Sequence, residues 1–80
     1  MKWRVYILLL GNGQYYVGST NNLERRIVQH KAWKVIATKG KLPLGLLFTR
    51  GYETLSEARS AEYQLKKKKS RKNIELFMNA

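Results

Sequence analysis

The chain has 80 residues and no cysteine, which restricts it to a single small domain, residues 1–80, and excludes disulfides and zinc sites built on thiolates. Sixteen Lys and Arg against five Glu give a net charge of +11, so we expect nucleic acid, DNA in the first place, as the partner. The apolar run VYILLL is too short for a membrane span or a secretory core, so we expect a cytoplasmic protein without membrane contact, a monomer or weak oligomer.

Two strands are predicted at the N-terminus, residues 3–10 and 14–19, on either side of Gly11-Asn12-Gly13. Both segments are rich in β-branched, aromatic and aliphatic residues. Asn-Gly between two such segments is typical of a β-hairpin.

The length of the hairpin loop decides which tyrosines share a face of the sheet. A two-residue loop at 12–13 places Tyr16 opposite Leu9 and Tyr6 on the other face, because side chains alternate along a strand. A three-residue loop at 11–13 places Tyr16 opposite Leu8, with Tyr6 diagonally beside it. Gly13 suits the left-handed residue of the longer loop. The longer loop is required only if Tyr6 and Tyr16 work together.

The following segments predict three helices and one more strand. A helix over about 22–32 is capped by Thr20 or Asn21, and a third strand covers 44–50. A second helix covers 55–69 and a final helix covers 71–78 after the cap Ser70. The inward residues of these two helices are expected to be Leu55, Ala58, Ala61, Leu65, Ile74, Phe77 and Met78. This ββαβαα order predicts an α+β fold with a small three-stranded, mostly antiparallel sheet flanked by helices.

Few side chains indicate chemistry by themselves. Glu62 borders the apolar stripe of its helix, where a buried carboxylate needs a partner or a cation; the simpler alternative is a partly exposed Glu62 paired with Lys66. His30 shares a helix face with Arg26, although a position near a helix C-terminus suits any histidine. The run KKKK is typical of a solvated face and also of a phosphate track. Without Asp and with one His, a Ser-His-Asp triad and a His-rich metal cluster are excluded.

Five segments, in order, resemble the GIY-YIG nuclease family and in particular its small stand-alone bacterial members. VYIL resembles the first signature, with Tyr6 as its tyrosine, and YVG, beginning at Tyr16, resembles the second. STNNLERRIVQH resembles the family's helix, with its arginine at Arg26 and its histidine at His30. KVIATKGKLPLGLLF resembles the segment that leads into the third strand. SEARSAEYQLKKKKSRKNIELF resembles the helix that carries the family's metal-binding glutamate, which falls at Glu62.

The resemblance implies a metal-dependent endonuclease that hydrolyses phosphodiester bonds of DNA, with structure-specific cleavage, repair and recombination as candidate settings. Glu62 would hold one Mg²⁺ or Mn²⁺, since a single carboxylate leaves the other positions to water and phosphate oxygens. Arg26 would bind the scissile phosphate. Tyr6 would take the proton of the attacking water, and His30 would accept or relay it. Tyr16 would orient the phosphate or the water.

Further expectations follow from these assignments. Positive charge from the metal, Arg26 and neighbouring lysines is expected to lower the pKa of Tyr6 from its ordinary value of about 10. Gly18 is expected where a side chain would obstruct the substrate or the helix. Tyr15 is expected to point away from Tyr16, into or over the core. The basic residues expected to contact nucleic acid are Arg25, Lys34, Lys39, Lys66, Lys69 and Arg71.

The sequence departs from the family pattern at several positions. Arg4 replaces the glycine of the first signature, and Ser19 stands where some members carry a lysine. Asn73 only approximates an asparagine found in some members, and no carboxylate is evident at the end of the third strand. Two other classes therefore stay open: a catalytically inactive nucleic-acid-binding module with the same fold, and a ribosome- or protein-associated structural domain.

Overall fold

The computed structural model describes residues 2–32, 40, 45–68 and 70–79. The elements in chain order are β1 (Trp3–Leu9), β2 (Tyr15–Thr20), α1 (Leu23–Lys31), β3 (Gly45–Tyr52), α2 (Leu55–Lys68) and α3 (Arg71–Met78). The predicted α+β fold with ββαβαα order is confirmed, and the predicted boundaries differ from these by one or two residues at most.

The three strands form one antiparallel sheet in the order β2-β1-β3. β1 is therefore the central strand, which explains why its residues are the most continuously apolar of the three. A register irregularity interrupts the pairing of β1 with β3 between Ile7 and Leu8. β2 and β3 are the two edge strands of this sheet.

The hairpin between β1 and β2 has the three-residue loop. Leu10 N donates to Gln14 O at 2.9 Å, and Gly13 N donates to Leu10 O at 2.9 Å. Gly13 has a φ of +85°, the left-handed conformation that this loop needs. Leu8 consequently pairs with Tyr16, and Tyr6 pairs with Gly18.

Side-chain alternation along β1 and β2 produces two apolar clusters on opposite faces of the sheet. The larger cluster joins the sheet to α2 and α3, and its buried members are Val5, Ile7, Val17, Ala58, Leu65 and Ile74. Tyr15, Ala61, Phe77 and Met78 pack against it, as expected. The smaller cluster contains Tyr6, Leu8 and Leu10, with Tyr16, Leu23 and Ile27 packed against it. α1 therefore covers the face that carries Tyr6, and α2 and α3 cover the other.

Side-chain caps fix the starts of α1 and α3. Asn22, not Thr20 or Asn21, caps α1: its Oδ1 accepts from Arg25 N at 3.1 Å. Thr20 instead accepts from Asn22 N at 3.1 Å and so holds the cap in place. Ser70 caps α3, as predicted. None of the helices within the described ranges is long and apolar enough to cross a bilayer, and the cytoplasmic location stays a prediction.

Candidate active site

The hydroxyl of Tyr6 lies at the centre of a cluster of polar side chains. Tyr6 and His30 are both completely buried. Tyr6 Oη is 3.0 Å from His30 Nε2, and Arg26 Nε donates to the same oxygen at 3.3 Å. The ring of Tyr16 lies 6.3 Å from that of Tyr6 and 5.0 Å from that of His30, centre to centre. Four of the five predicted core site residues are thus in direct contact.

Two local features of the sequence bring these four residues together. The three-residue loop places Tyr6 and Tyr16 on the same face of the sheet, on adjacent strands. The i, i+4 spacing places Arg26 and His30 on the same face of α1, the helix that covers those tyrosines. Gln29, which the sequence reasoning missed, accepts from Arg26 Nη1 at 3.1 Å and helps to orient the guanidinium. Its i, i+3 spacing from Arg26 could have indicated this contact.

Gly18 provides space for Tyr6. A Cβ built on Gly18 would lie 2.5 Å from Tyr6 Cζ and closer still to Oη. The expectation that a side chain here would obstruct the substrate or the helix was therefore incomplete, because the first group it meets is the tyrosine on the neighbouring strand. The glycine of one signature segment is needed for the tyrosine of the other.

The protein's own groups favour neutral forms of Tyr6 and His30. Burial raises the pKa of Tyr6 above its ordinary value of 10.0; the hydrogen bond from Arg26 acts against this, and Tyr16 and Glu62 reinforce it. The expected lowering was wrong for these groups, because desolvation outweighs Arg26. Burial, and then the charge of Arg26, lower the pKa of His30 below 6.5. The hydrogen bond to Tyr6 raises the already high pKa of Arg26.

Hydrogen bonds connect three polar side chains of the cluster. Arg26 Nε can only donate, so Tyr6 Oη accepts from it. The bond between Tyr6 Oη and His30 Nε2 has its direction set by the imidazole tautomer, and the phenol donates to Nε2 in the tautomer whose proton is on Nδ1. The arrangement is a connected chain from guanidinium to phenol to imidazole.

Glu62 lies beside this cluster, on α2. Ser19 Oγ donates to Glu62 Oε1 at 2.6 Å, and Lys66 Nζ is 2.6 Å from Glu62 Oε2. The carboxylate side chain is 20% exposed and its lysine partner 50%. The i, i+4 ion pair of Glu62 with Lys66 is therefore present. Glu62 also contacts β2 through Ser19, and the ion pair does not require that contact.

Lys66 connects Glu62 to the tyrosines. Its Nζ lies 5.8 Å from the centre of the Tyr16 ring, so a side chain from α2 reaches a residue of the α1-covered face past the edge strand β2. The charge of Glu62 also contributes to the raised pKa of Tyr6, which requires the two groups to be near each other.

The oxygen donors near Glu62 suit a hard divalent ion. The part of the chain that the structure describes holds no group of three or more His, Cys, Asp and Glu side chains around a common point. One carboxylate and the hydroxyl of Ser19 are the available donors, both oxygen, and most of an octahedral shell would be water or phosphate. This donor set fits Mg²⁺ or Mn²⁺ and does not fit an ion that needs nitrogen or sulfur ligands.

The basic residues predicted to contact nucleic acid have diverse surroundings. Arg25 is exposed, whereas Lys66 belongs to the Glu62 pair. Arg71 stacks over the ring of Tyr15 at 4.3 Å and donates to Gly13 O at 3.2 Å, which links α3 to the hairpin. Lys34, Lys39 and Lys69, together with most of the segment before β3 that resembles the family, lie outside the described residues.

Two further polar residues adjoin the site and were not predicted. Ser19 was noted only as a departure from the family pattern, yet it holds Glu62. Thr49 on β3 pairs with Tyr6, and its Oγ1 is buried without a hydrogen-bond partner among the residues described. No pattern local to β3 could have found this position, because it depends on the pairing of strands far apart in sequence.

Comparison with known proteins identifies the family of this chain. The family model described as the GIY-YIG catalytic domain matches residues 2–75. A UPF0213 protein of Bacillus licheniformis is 39% identical over 74 residues, covering 91% of this chain and 75% of the relative. A UPF0213 protein of Streptococcus pneumoniae is 38% identical over 66 residues, covering 81% of this chain and 67% of the relative. The chain thus spans about two thirds to three quarters of the length of these relatives, whose names specify no substrate.

A solved structure supports the fold. The solution NMR structure of the UPF0213 protein BH0048 from Bacillus halodurans has a TM-score of 0.64 and 34% identity, covering 99% of this chain and 84% of that one. The matched signature segments contain Tyr6, Tyr16 and Gly18, which meet across β1 and β2. The chain therefore belongs to the GIY-YIG family.

Proposed function

We propose that the protein is an endonuclease that hydrolyses phosphodiester bonds of DNA with the help of one Mg²⁺ or Mn²⁺. The observation that carries this proposal is the position of Tyr6 Oη between His30 Nε2 and a donor, Arg26 Nε. A buried phenol hydroxyl needs a hydrogen-bond partner, and Tyr6 has two of different kinds, an imidazole that can accept a proton and a guanidinium that can bind phosphate. Membership of the GIY-YIG family and the charge of +11 support nucleic acid as the partner.

Tyr6 acts in this proposal as a proton relay. Because burial raises its pKa, Tyr6 does not supply phenolate at neutral pH. It passes its own proton to His30 Nε2 as it takes one from the attacking water, so negative charge never accumulates fully on the phenol. A neutral His30 is the correct form for this step, and its lowered pKa keeps it neutral at pH 7.

Arg26 and Tyr16 bind and orient the substrate. The guanidinium is held by Tyr6 and by Gln29, and a planar fork fixed on one side presents its remaining donors in a defined direction to phosphate oxygens. Tyr16 lies 5.0 Å from the His30 ring and 5.8 Å from Lys66 Nζ, so it borders the cluster on the side of Lys66.

Glu62, held by Ser19, provides the position for the divalent ion. When bound, such an ion neutralises charge on the phosphoryl oxygens and on the leaving oxygen. Ser19 fixes the orientation of the carboxylate, and contacts of this kind around metal ligands affect metal affinity or activity by about 10- to 100-fold.

The proposal is tested with labelled single-stranded, duplex and branched DNA, and with RNA, in the presence of Mg²⁺ or Mn²⁺. We expect cleavage of at least one DNA substrate, with losses of about 100-fold or more in Tyr6→Phe, Arg26→Gln and Glu62→Gln. The chain supplies a matched control: Tyr15→Phe on the opposite face of the sheet should retain most activity. Cleavage by Tyr6→Phe at the wild-type rate would contradict the proposed role of Tyr6.

A second candidate is a nucleic-acid-binding module that does not cleave. Two observations favour this module. Burial raises the pKa of Tyr6, and both carboxylate oxygens of Glu62 already have partners within the chain. Salt-sensitive binding of DNA without metal-dependent cleavage of any substrate would support this module and contradict the nuclease. Repair and recombination remain settings to be tested after a substrate is known.

A further inference from the structure

The carboxylate of Glu62 already has a cation of the chain against it. Lys66 Nζ is 2.6 Å from Oε2, while the hydroxyl of Ser19 is 2.6 Å from Oε1. Both oxygens that would bind a divalent ion are therefore in use. Ser19 donates a neutral hydrogen bond and fixes an orientation, whereas Lys66 supplies the same kind of charge as the ion.

Lys66 also lies at the boundary between two cavities. A cavity of about 810 Å³ is bounded by Tyr15, Tyr16 and Arg71, and one of about 510 Å³ is bounded by Glu62, Tyr63 and Arg59; Lys66 borders both. A displaced Lys66 side chain therefore has open space to enter on either side, and it is already half-exposed. Its release from Glu62 requires no rearrangement of the core.

We propose that Lys66 is an internal counter-cation that competes with the divalent ion for Glu62 and thereby raises the ion concentration that the site requires. The inference rests on the proposed function, because it takes Glu62 as the ion's position. A carboxylate that is only 20% exposed and close to Tyr6 needs a positive partner. Lys66 fills that need in the ion-free protein and leaves when the ion arrives, so the two states differ in which cation Glu62 binds.

The size of the competition follows from the exposure of the pair. Ion pairs with a half-exposed lysine contribute modestly, so we expect removal of Lys66 to tighten ion binding by about two- to fivefold. Part of any such effect is the loss of one positive charge from α2. The variant Lys67→Met is the control for this loss of charge. Lys67 Nζ lies 5.9 Å from the centre of the Tyr63 ring, so Lys67→Met removes one positive charge from α2 and leaves the contacts of Glu62 intact.

The test measures Mn²⁺ binding without nucleic acid, by the paramagnetic resonance signal of free Mn²⁺, in the wild type, Lys66→Met, Lys67→Met and Glu62→Gln. We expect Lys66→Met to lower the Kd by about two- to fivefold relative to Lys67→Met. Equal Kd values in these two variants would overturn the role of Lys66 while leaving Glu62 as the ion's position. Unchanged binding in Glu62→Gln, or no binding in any variant, would overturn the proposed metal position and this inference together.

A second measurement needs no variant and so does not depend on whether Lys66→Met folds. Magnesium is added to the wild type while the ¹³Cε signals of its lysines are followed by NMR. We expect the Lys66 signal to shift along the Mg²⁺ binding curve and that of Lys67 to stay in place. Binding of Mg²⁺ that leaves the Lys66 signal unchanged would contradict the exchange of cations.

Discussion

Tyr6 is held in an environment that disfavours its anion, and this determines how it can act. Its ring and hydroxyl contact His30, Arg26 and Tyr16. Of these, only Arg26 favours phenolate, and burial outweighs it. A tyrosine that stays protonated can still transfer protons, provided that an acceptor is hydrogen-bonded to it, and His30 is that acceptor in the tautomer with its proton on Nδ1.

The close contact between Tyr6 and Gly18 leaves no room for a side chain at position 18. Gly18→Ala should cost about 1–3 kcal/mol of unfolding free energy, because the new methyl group overlaps the buried phenol. Displacement of the phenol from His30 should also reduce cleavage by about 10-fold or more. Urea denaturation measures the first effect and single-turnover cleavage the second.

Gly45→Ala is the matched control for this change. Gly45 also lies in the sheet, but a Cβ built there meets nothing within 4 Å. The stability and the cleavage rate of Gly45→Ala should remain close to those of the wild type. If Gly18→Ala were as harmless as Gly45→Ala, the phenol would have to be free to move, and the tight positioning of Tyr6 would be wrong.

Among the elements, the β1–β2 hairpin controls the site most directly. A shift of its register by one residue would turn Tyr16 to the face covered by α2 and α3 and bring Tyr15 to the face of Tyr6. The loop of residues 11–13 prevents this shift, and its geometry depends on one residue with positive φ, Gly13. Arg71, which donates to Gly13 O, holds the same loop from α3.

Gly13→Ala should therefore destabilise the protein by about 1–2 kcal/mol, the cost of a left-handed conformation for a residue with a Cβ. Gly13→Asn should cost distinctly less, since Asn visits this conformation more readily. Thermal or urea unfolding of the two variants checks the order. Equal losses would show that a backbone contact of Gly13, and not its φ, limits substitution.

The sequence predicted local geometry better than long-range contacts. The hairpin loop follows from Gly13 once Tyr6 and Tyr16 are assumed to share a face, and the shared helix face of Arg26 and His30 follows from their i, i+4 spacing. The position of Thr49 opposite Tyr6 was not accessible, because pairing of β1 with β3 joins segments that are far apart in the sequence. The protein's own groups raise the pKa of Tyr6 where Arg26 alone would lower it, because burial outweighs Arg26 and the burial of β1 is a property of the whole sheet.

Glu62 shows a different limit of sequence reasoning. Spacing along α2 favoured the ion pair with Lys66, and resemblance to the family favoured a metal position. The structure contains the ion pair and adds Ser19 from β2, so the two interpretations are compatible. The choice between them could not be made from α2 alone, because it depends on the strand against which the helix packs.

The shifted pKa values of Tyr6 and His30 make the stability of the whole molecule depend on pH in the acidic and in the alkaline range. Folding lowers the pKa of His30, so below about pH 6.5 the unfolded chain binds more protons than the folded protein. The free energy of unfolding therefore decreases as the pH falls from about 6.5 toward the pKa of His30 in the folded protein. The pKa of Tyr6 is raised, so above about pH 10 the unfolded chain loses its proton first and stability falls as the pH increases.

Urea denaturation between pH 5 and pH 8 measures the acidic part of this dependence in the wild type and in His30→Gln. We expect the wild type to lose stability below about pH 6.5 and His30→Gln to lose less over the same interval, because the titrating imidazole is gone. The glutamates contribute equally to both proteins over this interval. Parallel curves would mean that His30 has the same proton affinity in the folded and unfolded states.

The division of the interior into two clusters has a consequence for how this protein could change over evolutionary time. Tyr6, Arg26 and His30 depend on the cluster under α1, whereas Glu62 and Ser19 depend on the one under α2 and α3. A lineage could therefore lose either half of the site by one substitution without disturbing the packing that supports the other. Under the proposed nuclease function, a descendant that binds nucleic acid without cutting it lies a single substitution away, and the remaining half of the site would identify its ancestry.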